Sequence, residues 1–289
     1  MNTESKKVLL LGIGDTGLEV AQILERNEVH GLNMCEIKEE SELKLLSRSG
    51  MREAELIILV AEPGGEKENS LAIKASRLAK DQCKVAIAIL TTPRLFKGEK
   101  AVMRALETAQ EIGKIVDSLL VINDSLLVIN KETFNTLPEN GCSFADLINS
   151  LVSVEDTIAD GILNMMSLIS EEGAININLD DLKTTLAHSG TFTVESGFGV
   201  GENRMGLAIE NALSSPLMKK SDVYSSRKAL IKVLAPKISP ITMEEMQNVS
   251  KFTEEFSPNA DIKWGMGEAD DDDIVSVIIL VSGFDVKLA

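Results

Sequence analysis

Glycines at positions 12, 14 and 17, in the run Gly12-Ile13-Gly14-Asp15-Thr16-Gly17, close an apolar stretch and open a helical one. This is the G-x-G-x-x-G spacing of dinucleotide sites. The glycines permit a tight turn and bring backbone amides against a diphosphate at the positive end of a helix. Glu36 lies 19 residues beyond Gly17, where such sites place the carboxylate that reads a ribose hydroxyl. The same glycines also serve as ordinary turn residues, and Asp15 puts a carboxylate where phosphate would sit. No arrangement of His, Lys or Tyr suited to hydride chemistry accompanies the motif. His30 and His188 stand alone, and Cys35, Cys83 and Cys142 are scattered, so no metal centre is expected.

The elements that must position this turn follow from periodicity. Lys7–Gly12, Gly31–Ile37, Glu55–Ala61, Val85–Thr92 and Asp117–Ile122 are strand-like runs, several apolar on both faces, with amphipathic stretches between them. Such runs belong to a parallel sheet covered on both sides, a doubly wound α/β unit. From Ser143 to Ile169 apolar residues recur at spacings of three and four, which predicts one long helix with Ser143 as its cap. Beyond Gly173 the pattern alternates again. Strands are expected at Thr191–Glu195, Leu230–Leu234, Ile262–Met266 and Ile274–Val281, and helices at Glu202–Leu213 and Thr242–Glu255. Asp270–Asp273 is expected as the solvated tip of a hairpin between the last two strands.

The chain has 289 residues, enough for about two domains, and 29 basic against 45 acidic residues, a net charge of -16. An acidic surface repels phosphate backbones and anionic lipid heads, so neither nucleic acid nor direct membrane binding is expected. The longest apolar runs fall short of a spanning helix, no leader pattern opens the chain, and unpaired cysteines suit a reducing compartment, so the expected location is cytoplasmic.

Three further segments carry a resemblance. Ile175-Asn176-Ile177-Asn178-Leu179-Asp180-Asp181-Leu182-Lys183-Thr184, then Gly197-Phe198-Gly199-Val200-Gly201-Glu202-Asn203-Arg204, then Ser214-Ser215-Pro216-Leu217 resemble, in type, order and spacing, consecutive motifs of the FtsZ/tubulin superfamily. Val116–Asp124, Thr91-Thr92-Pro93 with Phe96-Lys97-Gly98, and Ile279–Asp285 extend the likeness to nearly the whole chain except 36–53. The resemblance implies an α/β tubulin/FtsZ fold, with a Rossmann-like parallel-sheet domain over 1–142, a central helix over 143–172 and a smaller α+β domain over 173–289. It also implies a cytoskeletal, cell-division type of role, GTP or GDP as ligand, and head-to-tail association with itself or with an FtsZ-type protein. On that basis Asn176, Asn178 and Asp181 fall on the catalytic loop offered to a neighbouring subunit. Gly12, Gly14, Gly17, Gly64, Gly65 and Glu155 fall on the nucleotide pocket.

The carry-over also exposes departures. The family's glycine-rich triphosphate loop falls on Gly64-Gly65-Glu66-Lys67-Glu68-Asn69-Ser70, where side chains obstruct the approach of phosphate to the backbone. A carboxylate about 5 Å from a phosphate costs on the order of 3 kcal/mol at an effective dielectric near 20. Lys97 stands in place of a ribose-contacting acid, Leu151 in place of a ring-stacking Phe, and Glu155 at the base-reading position. Asn178 replaces the first acid of the catalytic loop, and a neutral amide cannot act as a base. The sequence therefore predicts a pseudo-GTPase with GTP binding lost or weak and no resident cofactor, which self-associates or modulates a true FtsZ polymer. A weak GTPase of the family and a Rossmann-type dinucleotide enzyme are the alternatives.

Overall fold

The computed structural model describes residues 7–49, 51–93, 98–123, 153–170, 173–219, 222–269 and 273–284. Strands β1 (Val8–Ile13), β3 (Leu56–Ala61) and β4 (Val85–Thr92) are buried along their whole length. Residues apolar on both faces require cover on both sides, and the sheet receives it. With β2 (Leu32–Ile37) and β5 (Ser118–Asn123), these strands form a parallel array. The array continues through β6 (Gly190–Gly199) into β7 (Lys228–Pro236), β8 (Asp261–Ala269) and β9 (Val275–Ser282), giving the nine-stranded order β2-β1-β3-β4-β5-β6-β9-β7-β8.

Three apolar layers cover this sheet. On one face of the parallel half, α3 (Glu66–Gln82) and α4 (Glu99–Gly113) set Leu71, Ala75 and Ile112 against Leu9, Leu59 and Ala88. On the other face, α1 (Gly14–Arg26) and α5 (Val154–Ser170) set Val20, Leu24, Ile158 and Ile162 against Leu10, Ile58 and Ile87. That second layer runs on without a break to Leu182 and Leu186 of α6 (Leu179–Leu186) and to Leu230 and Leu280. Helix α5 is thus shared by the sheet's two halves. A third cluster packs α7 (Arg204–Leu213) and α9 (Met243–Glu254) on β7 and β9 through Met205, Ala208, Phe252, Ile231 and Ile279. Fully burying each of these side chains larger than alanine contributes about 1.5–3 kcal/mol.

The halves meet where β5 and β6 pair, over only Ser118 with Gly190 and Leu119 with Thr191. Asp117, its side chain fully buried, reinforces that short ladder. Its carboxylate accepts from the Ala86 amide at 3.0 Å, from Lys80 Nζ at 2.6 Å and from the His188 amide at 3.3 Å, while its carbonyl accepts from the Gly190 amide at 2.9 Å. Farther along, Lys232 of β7, with 0% of its surface exposed, donates to the Ser167 and Leu168 carbonyls at 2.8 and 3.3 Å. It thereby satisfies acceptors that the last turn of α5 leaves open.

Three expectations change. Helix α5 begins at Val154, capped by Ser153, whose hydroxyl accepts from the Asp156 amide at 2.9 Å. The proposed start at Ser143 lies outside the described residues, as do Leu151, Lys97, Cys142 and 270–272. Strands β8 and β9 do not pair as a hairpin, because β7 lies between them, parallel to the first and antiparallel to the second. Strand β6 runs from Gly190 to Gly199, four residues beyond the expected end at Glu195. A Cβ at Gly197 or Gly199 would collide with the Ala208 or Arg204 carbonyl of α7, so glycine permits the helix to lie directly on the strand.

Removing the Asp117 carboxylate strands the buried Ala86 amide, the partly buried His188 amide and the Lys80 ammonium. Asp117→Ala is expected to lose about 3 kcal/mol of stability in urea unfolding, because breaking a buried pair leaves its partner uncompensated.

Candidate functional site

At the carboxyl ends of β1, β3 and β4 lies a cavity of about 370 Å³ whose walls include Gly14, Asp15, Glu62, Gly64, Gly65 and Glu68. Gly12 and Gly17 sit beneath it. A Cβ at either would collide with the backbone of the other, so this pair sets how closely α1 can follow β1. Gly14 has φ +69°, a left-handed conformation suited to glycine, and an added Cβ there would meet open space. The three glycines therefore divide their work between packing and leaving backbone accessible.

Carboxylates occupy the other wall. Glu66 and Glu68 lie in the first turn of α3, whose N-cap is Gly65, and Asp15 lies in the first turn of α1. Helix N-termini favour negative charge, and here the chain supplies it itself. The Glu68 carboxylate folds over Gly65 closely enough to collide with any Cβ placed there, while the Gly64 amide donates to Asn69 Oδ1 at 2.6 Å. Thr16 donates to Glu62 Oε2 at 3.1 Å across the cavity floor. The sequence reading missed Glu62, although an acid directly after a buried strand and before Pro63-Gly64-Gly65 was a signal. Glu155 lies in the first turn of α5 and Glu36 pairs in register with Gly12, and neither is among the residues lining this cavity.

Asn176, Asn178 and Asp181 lie elsewhere. Asn176 Oδ1 accepts from the Gly173 amide at 2.8 Å, tying off its loop. Asn178 is the N-cap of α6. Its Oδ1 accepts from the Asp181 amide and Asp181 Oδ2 accepts from the Asn178 amide, each at 3.0 Å, a reciprocal capping box. Asp181 Oδ1 also pairs with Lys263 of β8 at 2.7 Å. Burial raises the Asp181 carboxyl, but Lys263 and the Asn178 amide outweigh it and hold the group below its ordinary value. One turn on, Lys183 binds Glu55, just before β3, and Asp180 at 2.7 Å. Glu55 and Glu62 bracket β3, so the loop and the cavity stand at opposite ends of the parallel sheet, about 20 Å apart. One chain cannot bring the two together.

A larger open cleft of about 1280 Å³ lies between α9 and the loops after β6 and β7. Its buried cation, Arg204, is fully engaged by Glu245 Oε1 at 2.6 Å, Ser239 Oγ at 2.8 Å and the Ser239 carbonyl at 3.0 Å. Arg204 holds Glu245 down to about 2, and Lys183, then Lys7, hold Glu55 down to about 2.

Two measurements check these assignments. Asn178→Ala is expected to lose about 1 kcal/mol in denaturant unfolding through the lost cap. For Glu245, a folded pKa below the ordinary 4.5 gives stability that is complete above 4.5 and is lost as pH falls toward about 2. Thermal unfolding over that window should fall more steeply for the unaltered chain than for Glu245→Gln, which starts from a lower plateau.

Comparison with known proteins agrees with this geometry. Residues 190–285 match the model of the FtsZ family, C-terminal domain. The cell division protein FtsZ of Porphyromonas gingivalis is 28% identical over 235 residues, covering 80% of this chain and 48% of that protein. The FtsZ of Buchnera aphidicola subsp. Schizaphis graminum is 25% identical over 292 residues, 99% of this chain and 72% of its own length. An FtsZ dimer, empty, from M. jannaschii superposes with TM-score 0.74 at 20% identity, covering 96% of this chain and 88% of that one. CetZ2 from Haloferax volcanii, a GTPγS-bound protofilament, gives 0.72 at 12%, covering 96% and 93%. The chain spans about half the length of the P. gingivalis relative, and the likeness reaches from β1 to β9. Residues 190–285 thus match an FtsZ C-terminal domain, and the chain as a whole has the FtsZ/tubulin fold.

Proposed function

We propose that this protein is a pseudo-GTPase that associates with copies of itself, or with an FtsZ-type protein, without requiring GTP. The observation that carries the reading is the Glu68 carboxylate lying over Gly65, with Asp15 and Glu62 on the same cavity. A triphosphate entering there would displace a side chain from a helix N-terminus and face three like charges in a confined space. The wall is therefore a poor fit to GTP, and no catalytic step is assigned to it. The second support is the loop at the far end. Asn178 and Asp181 spend their side chains on each other's amides and on Lys263, which leaves neither of them free to activate water. That loop and the cavity face away from each other, as head-to-tail contacts between copies require.

One observation favours the weak-GTPase alternative: the open space at Gly14 leaves the first turn accessible to a phosphate. Calorimetry with GTP, GDP and NAD separates the readings. No GTP binding at micromolar concentration is expected, and clear binding would overturn the proposal, while NAD binding would instead promote a dinucleotide enzyme. Sedimentation should give the same assembly with and without GTP. Converting Glu66 and Glu68 together to Gly should raise GTP affinity about tenfold or more, since removing even a screened like charge is worth over 1 kcal/mol at these distances.

A further inference from the structure

The open cleft of about 1280 Å³ between α9 and the loops after β6 and β7 has a pinned floor and an apolar rim. Arg204 builds the floor. Its guanidinium joins the start of α7 to Glu245 of α9 at 2.6 Å, to Ser239 Oγ at 2.8 Å and to the Pro240 carbonyl at 3.2 Å, so two helix starts and the loop between β7 and α9 are held as one. Glu245 also accepts from the Thr242 amide at 2.8 Å and closes a capping box on α9. Above this base stand Val200 and Ile238, and Met243 falls in sequence between the lining residues Thr242 and Glu244. Ile238 is 72% exposed, Met243 84%, and Val200 more than half. Large apolar side chains held out on a loop that is itself fixed mark a surface that another molecule covers.

Charge and size define that molecule. Arg204 and Glu245 neutralise each other, which leaves Glu202, Glu244 and Asp273 against Lys251 among the lining residues. Glu202 and Glu244 are exposed and make no ion pair among the described residues. An acidic wall repels phosphate, so nucleic acid and anionic lipid are poor occupants. A volume above the roughly 300–1,000 Å³ of small-molecule sites suits a length of polypeptide instead. A second copy brings a net charge of -16, and a two-fold contact through this cleft would set two acidic walls together. We propose that the cleft docks a lysine- or arginine-bearing amphipathic segment of another protein, its apolar residues on Val200, Ile238 and Met243 and its cations beside Glu202, Glu244 and Asp273.

The division of labour is that of an interface with an apolar centre and a charged rim. Burial of the apolar side chains supplies affinity, while the rim acids speed encounter with a cationic segment and reject an acidic one. Because the Arg204 floor is already assembled, docking requires little ordering of the cleft itself. The exposed acids act through solvent, so the attraction should weaken as ionic strength rises. None of this depends on whether the cavity at the ends of β1 and β3 accepts a nucleotide, since the two share no lining residue.

The test titrates the full chain, by fluorescence anisotropy, into labelled peptides of equal length: a Leu/Lys peptide, a Ser/Lys peptide of the same charge, and a Leu/Glu peptide. Docking here requires the Leu/Lys peptide to bind about tenfold or more tighter than the Ser/Lys peptide, with the Leu/Glu peptide weakest. Ile238→Ser combined with Met243→Ser should remove the advantage of leucine over serine. Glu202→Gln combined with Glu244→Gln should weaken both lysine peptides severalfold and flatten their salt dependence. Equal binding of the Leu/Lys and Ser/Lys peptides to the unaltered chain would overturn the proposal, and that comparison needs no variant to fold. A leucine advantage that survives the loss of Ile238 and Met243, lysine binding indifferent to the two Glu→Gln changes, or a Leu/Glu peptide that binds as well as Leu/Lys overturns it too. Sedimentation in which the unaltered chain self-associates and Ile238→Ser with Met243→Ser does not would assign the cleft to a second copy instead, and the basic partner would be wrong.

Discussion

A single short ladder sets the geometry of this molecule. Five parallel strands and a four-stranded mixed sheet are joined through two residue pairs between β5 and β6. So brief a pairing would hinge freely if backbone hydrogen bonds were all it had. Asp117 prevents this by binding β4, α3 and His188, two residues before β6, through one buried carboxylate. Ser118 adds a bond from its hydroxyl to the Leu186 carbonyl at 2.7 Å. The cost of desolvating an anion is offset only because every direction around it offers a donor.

Around that joint, α5 is the long-range strut. It packs on α1 and β6, and at its last turn Lys232 donates to its carbonyls. The cavity at the carboxyl ends of the strands and the loop at 173–178 are fixed at opposite ends of one rigid layer. Whatever a cavity occupant did to α1 would reach the loop mainly through this helix. The arrangement gives a physical route for coupling between the two ends.

The strands were legible because their residues are apolar on both faces, a pattern that only a doubly covered sheet satisfies. Val85–Thr92 was placed to the residue for that reason. The boundaries that failed were those decided by contacts distant in sequence. Gly197 and Gly199 look like turn residues until α7 is laid over them, and strand adjacency beyond β8 depends on β7 having already taken the inner place. At the cavity, Gly12 and Gly14 were readable from spacing and the acids at 66 and 68 from the resemblance, whereas Glu62 belongs to no motif and shows only as an acid between a buried strand and Pro63-Gly64-Gly65. Asn178 and Asp181 were singled out by resemblance alone, and their capping box and the Lys263 pair become visible only in three dimensions.

The acids near Gly65 bear on stability as well as on ligands. A helix N-terminus whose amides face an empty cavity is under-satisfied, and a bound anion or a local carboxylate can complete it. Glu66 and Glu68 each contribute about 0.3–1 kcal/mol to α3 in that position. A chain that fills this site with its own side chains has less to gain from a ligand, because the ligand must first displace an interaction already made. Restoring affinity by removing those acids should therefore cost α3 some stability when no ligand is present. If affinity rises and α3 loses nothing, the carboxylates act only as a charge barrier and the helix is capped by some other means.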